Sequence, residues 1–382
     1  MSADSVAAVR EQFPRVAITH EWLTVPGGSE QVVAAMLDVF PGAELFTSVY
    51  DPAPWPAQIT ERPVHASFLN RVPRATEIYP RLLPLMDAAF ASFDLRGFDL
   101  VLSSNHACAK NVRTHAGTLH ACYCHTPMRY VWDPSFLRDE LGRVGRAVAP
   151  PVLAWLRRRD RAASRRPHGY LANSAFVAER IRRFYGREAD ILPPPVNVDP
   201  LLAIRRRPGE HYLFLSRLVP YKRADLAAAA CTRLGRQLKV VGEGRAAAAA
   251  RAVAGPSVEF LGRISTDEVR EELAGARALV FPAEEDFGIV PVEAQAAGVP
   301  VIAYGRGGAR ETVVDGRTGV LFDEQTVDSL CDAILRFEQR EWPVPPLREH
   351  AAGFHPHRFR EGLARYLLDL PSRLARSRRY PH

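Results

Sequence analysis

The sequence predicts an α/β protein with two doubly wound domains, each built on a parallel sheet. Short apolar segments, which indicate buried strands, alternate along the chain with segments of helical periodicity. A length of 382 residues is enough for two cores of ordinary size. Residues 191–199 are extended and rich in proline, and residues 205–209 are polar and turn-rich. We therefore place a domain boundary between residues 203 and 204.

The composition fits a globular protein from a reducing compartment. No run of about 18 apolar residues occurs, and residues 1–15 lack the basic-then-apolar order of a signal peptide. The five cysteines are odd in number and show no paired CxxC spacing, which argues for reduced thiols and against a zinc site. We therefore expect a cytoplasmic chain without a metal.

The formal net charge of +7 can indicate a nucleic-acid partner, binding to an anionic membrane surface, or a host proteome that is rich in arginine. Arginines cluster at residues 157–166, after the apolar Val152, Leu153 and Trp155, and again at residues 373–379. An apolar and basic helix of this kind lies on lipid headgroups, and a solvated basic face is the alternative. No nucleic-acid motif accompanies these arginines, so we expect no nucleic-acid partner.

The first half begins with a strand, a glycine-bearing loop and a helix. Strands are predicted at residues 15–20, 43–49, 98–103, 119–124, 169–173 and 190–192, and helices at 31–40 and 175–185. The first loop contains Gly27 and Gly28, and Ser29 is predicted as the helix N-cap. Open amides at a helix start bind oxyanions, although a tight strand-to-helix turn needs glycine in any case.

A histidine follows the strand predicted at residues 119–124. Residues 124–133 read CHTPMRYVWD, and Pro127 ends the strand. Because doubly wound sheets bind ligands beyond the carboxyl ends of their strands, His125 is expected at the site. A structural histidine that caps the loop is the alternative. Asn105 and His106, after the strand at 98–103, form a second candidate pair.

Two cations flank the first turn of the second half. Residues 211–223 read HYLFLSRLVPYKR, so the predicted strand ends near Arg217 and Lys222 precedes a helix predicted at 224–234. An arginine fork and a lysine point charge can bind a diphosphate together. Surface charge is the alternative for such a pair taken alone.

A glycine pair follows the next predicted strand. Gly242 and Gly244 open a G-x-G-x-x-A pattern, which in isolation indicates dinucleotide binding. That motif normally stands at the first strand of its domain, with an acidic residue after the second strand. Here the following strand ends in Gly262 and Arg263 instead. An NAD-dependent oxidoreductase is therefore an alternative function.

Residues 278–308 are the most informative stretch, with strands predicted at 278–282 and 299–304 and a helix at 289–297. Glu285 lies in the loop before the helix, and Glu293 lies about one turn inside it. The helix N-terminus favours an anion. Carboxylates beside an anion would repel it unless they bind neutral hydroxyls. The combination therefore suggests a sugar nucleotide.

The alternative is an acidic helix N-terminus formed by residues 284–286. Glycines on both sides of the helix are interpreted as leaving backbone room for a ligand, namely Gly288, Gly305, Gly307 and Gly308.

Residues 281–308 resemble the E-x7-E signature of retaining glycosyltransferases of family 4, which have the GT-B fold. The resemblance implies that Glu285 contacts donor-sugar hydroxyls and that Glu293 contacts the nucleotide ribose. Arg217 and Lys222 are similar to the Arg-x4-Lys element that binds donor phosphates in that family.

Residues 124–133 resemble a segment of bacterial O-antigen-type mannosyltransferases in the same family. The resemblance implies that His125 contacts the donor sugar and that Arg129, Trp132 and Asp133 shape the acceptor pocket. The expected catalytic residues are His125, Arg217, Lys222 and Glu285. The resemblance further implies donor-binding roles for Gly27, Gly28, Arg217, Lys222, Glu243, Arg263, Glu285, Phe287, Gly288, Ile289, Val290 and Glu293.

The resemblance thus implies a GT-B protein of two Rossmann-like, doubly wound parallel-sheet domains with a cleft between them. Residues 1–203 would form the acceptor-side domain and residues 204–354 the sugar-nucleotide domain. Residues 355–382, whose apolar spacing is helical, would cross back to the first domain.

The expected function is transfer of a hexose from a nucleoside diphosphate sugar, GDP-mannose by the His125 segment, to an acceptor hydroxyl with retention. The acceptor would be lipid-linked or saccharide, in cell-surface polysaccharide or glycolipid synthesis, with the chain cytoplasmic or peripheral on an anionic inner membrane face. No D-x-D motif occurs, so we expect no metal and no cofactor besides the donor. A sugar-nucleotide epimerase and a non-catalytic binding module are further alternatives.

Overall fold

The computed structural model describes residues 2–133 and 143–379. The chain divides into two compact units, Met1–Pro195 together with Pro356–His382, and Val196–His355. The sequence predicts boundaries at 203/204 and 354/355, whereas this division begins the second unit at Val196. The reason is packing, because Val196 and Val198 are fully buried in a cluster with Phe287.

The first unit contains a seven-stranded, entirely parallel sheet in the order β3-β2-β1-β4-β5-β6-β7. Its strands are β1 (Val16–His20), β2 (Glu44–Thr47), β3 (Val64–Ala66), β4 (Leu100–Asn105), β5 (Leu119–Cys124), β6 (Gly169–Ala172) and β7 (Asp190–Ile191). Six of these strands overlap the predicted ones, and β3 was not predicted.

The second unit contains a six-stranded parallel sheet in the order β10-β9-β8-β11-β12-β13. Its strands are β8 (Tyr212–Leu215), β9 (Leu238–Val241), β10 (Val258–Gly262), β11 (Ala278–Phe281), β12 (Val301–Tyr304) and β13 (Gly319–Phe322). Two all-parallel sheets with helical connections confirm the predicted fold class.

Helices connect the strands in both units. In the first part of the chain they are α1 (Ser2–Gln12), α2 (Gly28–Val39), α3 (Ala57–Thr60), α4 (Ala75–Ile78), α5 (Leu83–Ala91), α6 (Arg129–Trp132), α7 (Arg143–Ala163) and α8 (Ala175–Tyr185). They continue with α9 (Asp199–Leu202), α10 (Ala224–Leu234), α11 (Ala247–Ala252), α12 (Thr266–Gly275), α13 (Ile289–Ala296), α14 (Ala309–Thr312), α15 (Val327–Glu338), α16 (Val344–Ala352) and α17 (Pro356–Arg379).

Helix caps explain several of these boundaries. The Ser174 hydroxyl accepts from the Val177 N–H, so Ser174 is the N-cap of α8 as predicted. The prediction for α2 was wrong, because its N-cap is Gly27 and Ser29 lies inside the first turn. Gly27 takes the extended conformation that an N-cap requires, so the helix begins earlier than predicted and places Glu30 in its first turn.

The core of the first unit lies on both faces of its sheet, with Ile18 and Leu102 in one buried cluster and Ala17 and Val101 in another. Every residue of β1 is buried. Helix α17 packs on this core through Phe359, Leu363 and Leu367, which are at most 2% exposed. The side chains of the terminal Arg378 and Arg379, part of the basic cluster noted in the sequence, lie outside the described residues.

The five cysteines lie within the described residues; each is buried, and none forms a disulfide. In the described ranges, no helix has the length and apolarity needed to cross a bilayer.

Candidate functional site

The carboxyl edge of the second sheet carries most of the predicted site residues. Strands β10, β9, β8 and β11 are neighbours in that order, and parallel strands end at the same edge. Arg263 follows β10, Glu243 follows β9, Arg217 follows β8 and Glu285 follows β11. The fold therefore brings four predicted residues to one edge of one sheet.

Lys222 and Glu285 form an ion pair at this edge. Lys222 ends the short 3-10 turn Pro220–Lys222, and its ammonium donates to Glu285 Oε1. The two side chains are only 12% and 19% exposed. The ammonium also lies 5.2 Å from the centre of the Tyr221 ring. The predicted phosphate-binding cation and the predicted hydroxyl-binding carboxylate are thus in direct contact.

Glu293 lies about one turn inside α13 and differs from Glu285 in its surroundings. No hydrogen bond or ion pair reaches its carboxylate from the residues that the structure describes. Burial raises the pKa of Glu293 above the ordinary glutamate value. A desolvated carboxylate without a cationic partner costs stability, which is typical of a group kept to bind a ligand.

The first turn of α13 is open to an anion. Gly288 is the N-cap, with a left-handed φ of 96° that favours glycine. Within a helix, the first-turn N–H groups, here those of Ile289 and Val290, have no intrahelical acceptor. Pro291 follows them and has no N–H. These amides and the helix dipole favour negative charge beside Lys222.

Two sequence interpretations of this stretch change with the structure. The Phe287 side chain, 4% exposed, is a core residue whose ring centre lies 5.6 Å from that of Phe354, so only its backbone is available to a ligand. A Cβ at Gly307 would lie 2.3 Å from Glu285 O, and one at Gly308 would lie 2.3 Å from Phe287 Cα. These two glycines make room for the protein's own loop rather than for a ligand.

Gly242 and Gly244 also serve the protein's own backbone. Their φ values are 129° and 152°, and a Cβ would lie 1.9 Å from Ser216 O or 2.3 Å from Leu218 O, respectively. The turn after β9 is thereby pressed onto the turn that carries Arg217. A phosphate cradle needs open amides, whereas the backbone N–H of Gly242 donates to Gly262 O at 2.8 Å.

The remaining cations of this edge are exposed. Arg217 is exposed, and no contact of its side chain is seen with Lys222 or Glu285 in the described chain. Arg263 Nε lies 3.9 Å from Glu243 Oε2, and both side chains are mostly exposed. The structure thus joins Lys222 to Glu285 and Arg263 to Glu243, and Arg217 lies in the segment after β8 that also carries Lys222.

In the first unit, His125 lies at the carboxyl end of β5. The ring Nε2 is 2.8 Å from Ser104 Oγ, and the backbone N–H of His125 donates to Asn105 O. Burial, together with the neighbouring His106 and His20, lowers the pKa of His125 well below the ordinary histidine value. The imidazole is therefore neutral at neutral pH and can exchange hydrogen bonds with hydroxyls.

The start of α2, with Gly27 as N-cap and Gly28 as first residue, lies beside an acid that the sequence prediction missed. Glu30 is 7% exposed, and its Oε1 lies 3.2 Å from His20 Nε2. A Cβ at Gly27 would lie 3.0 Å from Glu30 Oε2. His20 and Ser104, also missed, follow from the fold, because polar residues at the ends of neighbouring strands meet at one edge.

Trp132, expected in the acceptor pocket, is held by buried charge. Its Nε1–H donates to Asp160 Oδ2 at 2.6 Å, and its ring stacks on Phe184 with centres 4.8 Å apart. Asp160 also pairs with Lys110, and both are essentially unexposed. Burial opposes the charge on Lys110, but the Asp160 carboxylate raises its pKa. Arg129 is the first residue of the short helix α6, which also contains Trp132, and Asp133 is its C-cap.

Family comparison decides the class of the second unit. The family described as glycosyl transferases group 1 matches residues 209–339, which span the sheet edge described above. The second unit is a group 1 glycosyltransferase domain. The family-4 resemblance noted in the sequence is thereby confirmed for this domain.

Curated relatives of the chain include two mannosyltransferases. A GDP-mannose-dependent alpha-(1-6)-phosphatidylinositol monomannoside mannosyltransferase of Mycobacterium tuberculosis is 34% identical over 192 residues, 42% of this chain and 50% of the relative. A monoacylated-substrate counterpart from Corynebacterium glutamicum is 37% identical over 154 residues, 36% of this chain and 39% of the relative. The chain therefore spans half or less of the length of these relatives.

Solved structures match nearly the whole chain. Sucrose-phosphate synthase from Thermosynechococcus elongatus matches with a TM-score of 0.63 and 18% identity, covering 96% of this chain and 98% of that one. A glycosyltransferase from Rickettsia africae matches with a TM-score of 0.61 and 12% identity, covering 94% and 98%. Together with the two parallel-sheet units, these matches show the GT-B fold that the sequence predicted.

Proposed function

We propose that this chain transfers a hexose, mannose from GDP-mannose, to an acceptor hydroxyl. The observation that carries the proposal is the contact between Lys222 and Glu285, where Glu285 lies in the loop that leads into α13. A cation and a carboxylate meet in the segment before a helix N-terminus whose first amides have no intrahelical acceptor, which suits a phosphate with a hydroxylated sugar attached. The relatives' dependence on GDP-mannose supports the choice of donor.

The roles divide by charge. Lys222, Arg217 and the amides of Gly288, Ile289 and Val290 bind the donor diphosphate and stabilise the negative charge that develops when it leaves. Glu285 accepts hydrogen bonds from sugar hydroxyls. Glu293 accepts from the ribose hydroxyls, for which its half-buried and unpaired carboxylate is suited.

Two further contacts complete the donor assignment. We assign contact with the sugar to His125 and contact with the diphosphate to the Gly27–Gly28 loop of the first unit. Glu243 and Arg263, an exposed pair, are assigned to the ribose and the base.

We further propose that the reaction retains the anomeric configuration and uses neither a metal nor a cofactor besides the donor. Lys222 and Arg217 supply the positive charge that a divalent cation supplies elsewhere. The departing diphosphate and the incoming hydroxyl share one face of the sugar, so the diphosphate oxygen can take the proton that the acceptor hydroxyl loses.

The alternatives fit the site less well. An NAD-dependent oxidoreductase would need an open glycine cradle, but Gly242 and Gly244 are packed against the carbonyls of Ser216 and Leu218. A sugar-nucleotide epimerase would turn over its donor without an acceptor. A binding module would bind the donor without turnover.

A donor panel tests the proposal and separates these alternatives. The full chain is heated with GDP-, UDP-, ADP- and dTDP-sugars, and then assayed for nucleotide release with and without an acceptor. We expect the largest rise in melting temperature with GDP-mannose, and GDP release that depends on the acceptor. Binding without turnover, or turnover without an acceptor, would contradict a transferase, and a rise only with another nucleotide would contradict the donor.

We propose a lipid-linked or saccharide acceptor, with the chain peripheral on the cytoplasmic face of an anionic membrane. Helix α7 exposes Val152 and Trp155 at 47% and 45%. The exposed Arg158 lies on the same helix, and the exposed Arg165 follows just after its end. We call Val152, Trp155, Arg158 and Arg165 the basic face. A pocket of about 470 Å³ between Trp132 and the arginines opens beside it. Exposed apolar and aromatic groups among arginines match the interface of an anionic bilayer.

A further inference from the structure

Four polar side chains of the first unit form one hydrogen-bonded chain that ends at His125. Glu30 Oε1 lies 3.2 Å from His20 Nε2, and His20 Nδ1 lies 3.0 Å from Ser104 Oγ. Ser104 Oγ lies 2.8 Å from His125 Nε2. We call Glu30, His20, Ser104 and His125 the histidine relay.

The parallel sheet assembles this relay. His20 ends β1 and pairs in register with Ser104 of β4. The backbone N–H of His125 donates to the backbone O of Asn105, which is also in β4. Glu30 enters from the first turn of α2. His20 and Ser104 are fully buried, and Glu30 is 7% exposed. Buried polar groups must satisfy one another, so their hydrogen-bond directions are linked.

The direction of each bond follows from the acid at the end. Burial alone would raise the pKa of Glu30, but its bonds to His20 and Ser29 and the nearby His106 lower it, so Glu30 is a carboxylate that only accepts. His20 must then donate from Nε2, and a neutral His20 accepts at Nδ1 from the Ser104 hydroxyl. That hydroxyl has one proton, so Ser104 Oγ accepts from the His125 Nε2–H.

We propose that Glu30, acting through His20 and Ser104, holds His125 in the Nε2–H tautomer and leaves Nδ1 as a hydrogen-bond acceptor. In the described chain Nδ1 has no hydrogen-bond partner. An unprotonated ring nitrogen suits a substrate hydroxyl and repels a phosphate oxygen. The tautomer follows from these contacts and from the charge of Glu30, whereas the hydroxyl rests on the proposed function. Glu30, His20 and Ser104 are positioning residues.

Gly27 gains a second role from the relay. Because a Cβ there would lie 3.0 Å from Glu30 Oε2, glycine leaves the carboxylate room to turn towards His20. The loop expected to bind phosphate and the acid that orients His125 therefore constrain each other.

Histidine nitrogen NMR on the full chain tests the tautomer without any substrate. Spectra of ¹⁵N-histidine-labelled protein are recorded at about pH 8, where an ordinary histidine with a pKa of about 6.5 is neutral. His125 is assigned with a His125→Asn variant. We expect a protonated Nε2 and an unprotonated Nδ1 in the wild-type protein.

Two variants break the relay at different points. Ser104→Ala removes the acceptor of the His125 proton, and Glu30→Gln replaces an obligate acceptor with an amide that can also donate. Both should move His125 towards a mixture of tautomers. Ser103→Ala is the matched control, because Ser103 is equally buried in the same strand but its hydroxyl contacts His120 at 2.7 Å.

The outcomes separate the relay from the proposed function. A wild-type His125 with its proton on Nδ1, or a tautomer unchanged in both Ser104→Ala and Glu30→Gln, would overturn the relay. In the transfer assay, both variants should lower kcat/KM by about tenfold or more, and Ser103→Ala should not. If the wild-type chain transfers no sugar, the proposed function fails while the spectra still decide the relay.

Discussion

Lys222 and Glu285 form an ion pair at the carboxyl edge of the second sheet. Lys222 comes from the turn after β8 and Glu285 from the loop after β11, and these strands are neighbours. The pair therefore joins the element assigned to the diphosphate to the element assigned to the sugar. Each side chain fixes the position of the other, so this part of the site is organised by a contact within the second unit.

Removing either partner should abolish most turnover. We expect Lys222→Ala and Glu285→Gln each to lower kcat about 100-fold or more, because both groups stabilise charge or hydroxyls in the transition state. The measurement is GDP release at saturating donor and acceptor.

A second lysine–glutamate pair in the same unit is the matched control for that experiment. Lys239 Nζ lies 2.8 Å from Glu272 Oε1, and the side chains are 30% and 18% exposed. Lys239 lies within β9 rather than after a strand end. Glu272→Gln should therefore keep wild-type turnover. Equal losses in Glu272→Gln and Glu285→Gln would mean that the Lys222 pair acts only on folding.

Arg217 provides a test of charge without packing. Its side chain is exposed at the end of β8, so Arg217→Ala should change the free energy of unfolding by less than about 0.5 kcal/mol. Turnover should fall about 100-fold if the guanidinium stabilises the leaving diphosphate. Arg270→Ala, in α12 and paired with Asp267, is the control and should retain activity. Wild-type turnover in Arg217→Ala would remove Arg217 from the mechanism.

Much of the fold could be predicted because the hydrophobic periodicity and the helix-capping residues indicate the same elements along the chain. Buried strands such as β11, with four apolar residues in a row, and helices with strong caps such as α8 leave little choice. Strand β3 could not be predicted, since Val64–Ala66 is three residues long, lies at a sheet edge and has no fully buried side chain. Its pairing with β2 decides its conformation.

The site divides in the same way. The placement of Arg217, Lys222 and Glu285 at one sheet edge could be predicted because their spacing repeats a family signature, whereas their roles and that of Glu293 stay predictions. The contact of Glu30 with His20 could not be predicted, because Glu30 reaches His20 only when α2 starts at Gly28, earlier than the sequence predicts. Glycine roles were also misjudged at Gly307 and Gly308, because sequence shows that backbone approaches closely but not which backbone.

Glu293 should trade stability for binding. Its folded-state pKa is raised by burial, so the charged form is penalised in the folded chain at neutral pH and this penalty fades as pH falls. Glu293→Gln should therefore stabilise the chain by about 0.5–2 kcal/mol. Loss of a charged acceptor for the ribose should weaken GDP binding by about 10- to 100-fold. Urea unfolding and titration calorimetry measure the two effects.

Glu285→Gln is the contrast for that experiment. It breaks the ion pair with Lys222, so it should not stabilise the chain. Stabilisation without a loss of GDP affinity in Glu293→Gln would contradict the ribose assignment.

The basic face should bind anionic vesicles through both charge and aromatic insertion. Each arginine near such a surface contributes about 1 kcal/mol, so Arg158→Gln with Arg165→Gln should lower vesicle partitioning about 30-fold. The partitioning is measured by co-sedimentation with phosphatidylcholine–phosphatidylglycerol vesicles and compared with vesicles of phosphatidylcholine alone. Added salt should weaken the binding to the anionic vesicles. Arg207→Gln with Arg270→Gln, in the second unit, is the control of equal charge. Binding that does not depend on salt or on lipid charge would contradict the proposal that the basic face binds an anionic membrane.

His120 should make the first unit sensitive to acid. It is buried in β5 with Nε2 2.7 Å from Ser103 Oγ, and burial, with His168 and Arg166 nearby, lowers its pKa to about 3 from 6.5. The unfolded chain then binds a proton between these values and the folded chain does not. Its stabilising contribution is complete above about pH 6.5 and is lost as pH falls towards 3, at about 1.4 kcal/mol per pH unit. Urea unfolding from pH 7 to 4 should show this slope, and His120→Asn should flatten it. His65→Gln, an exposed change in β3, should leave the slope unchanged, and an equal slope in His120→Asn would assign the acid sensitivity to other groups.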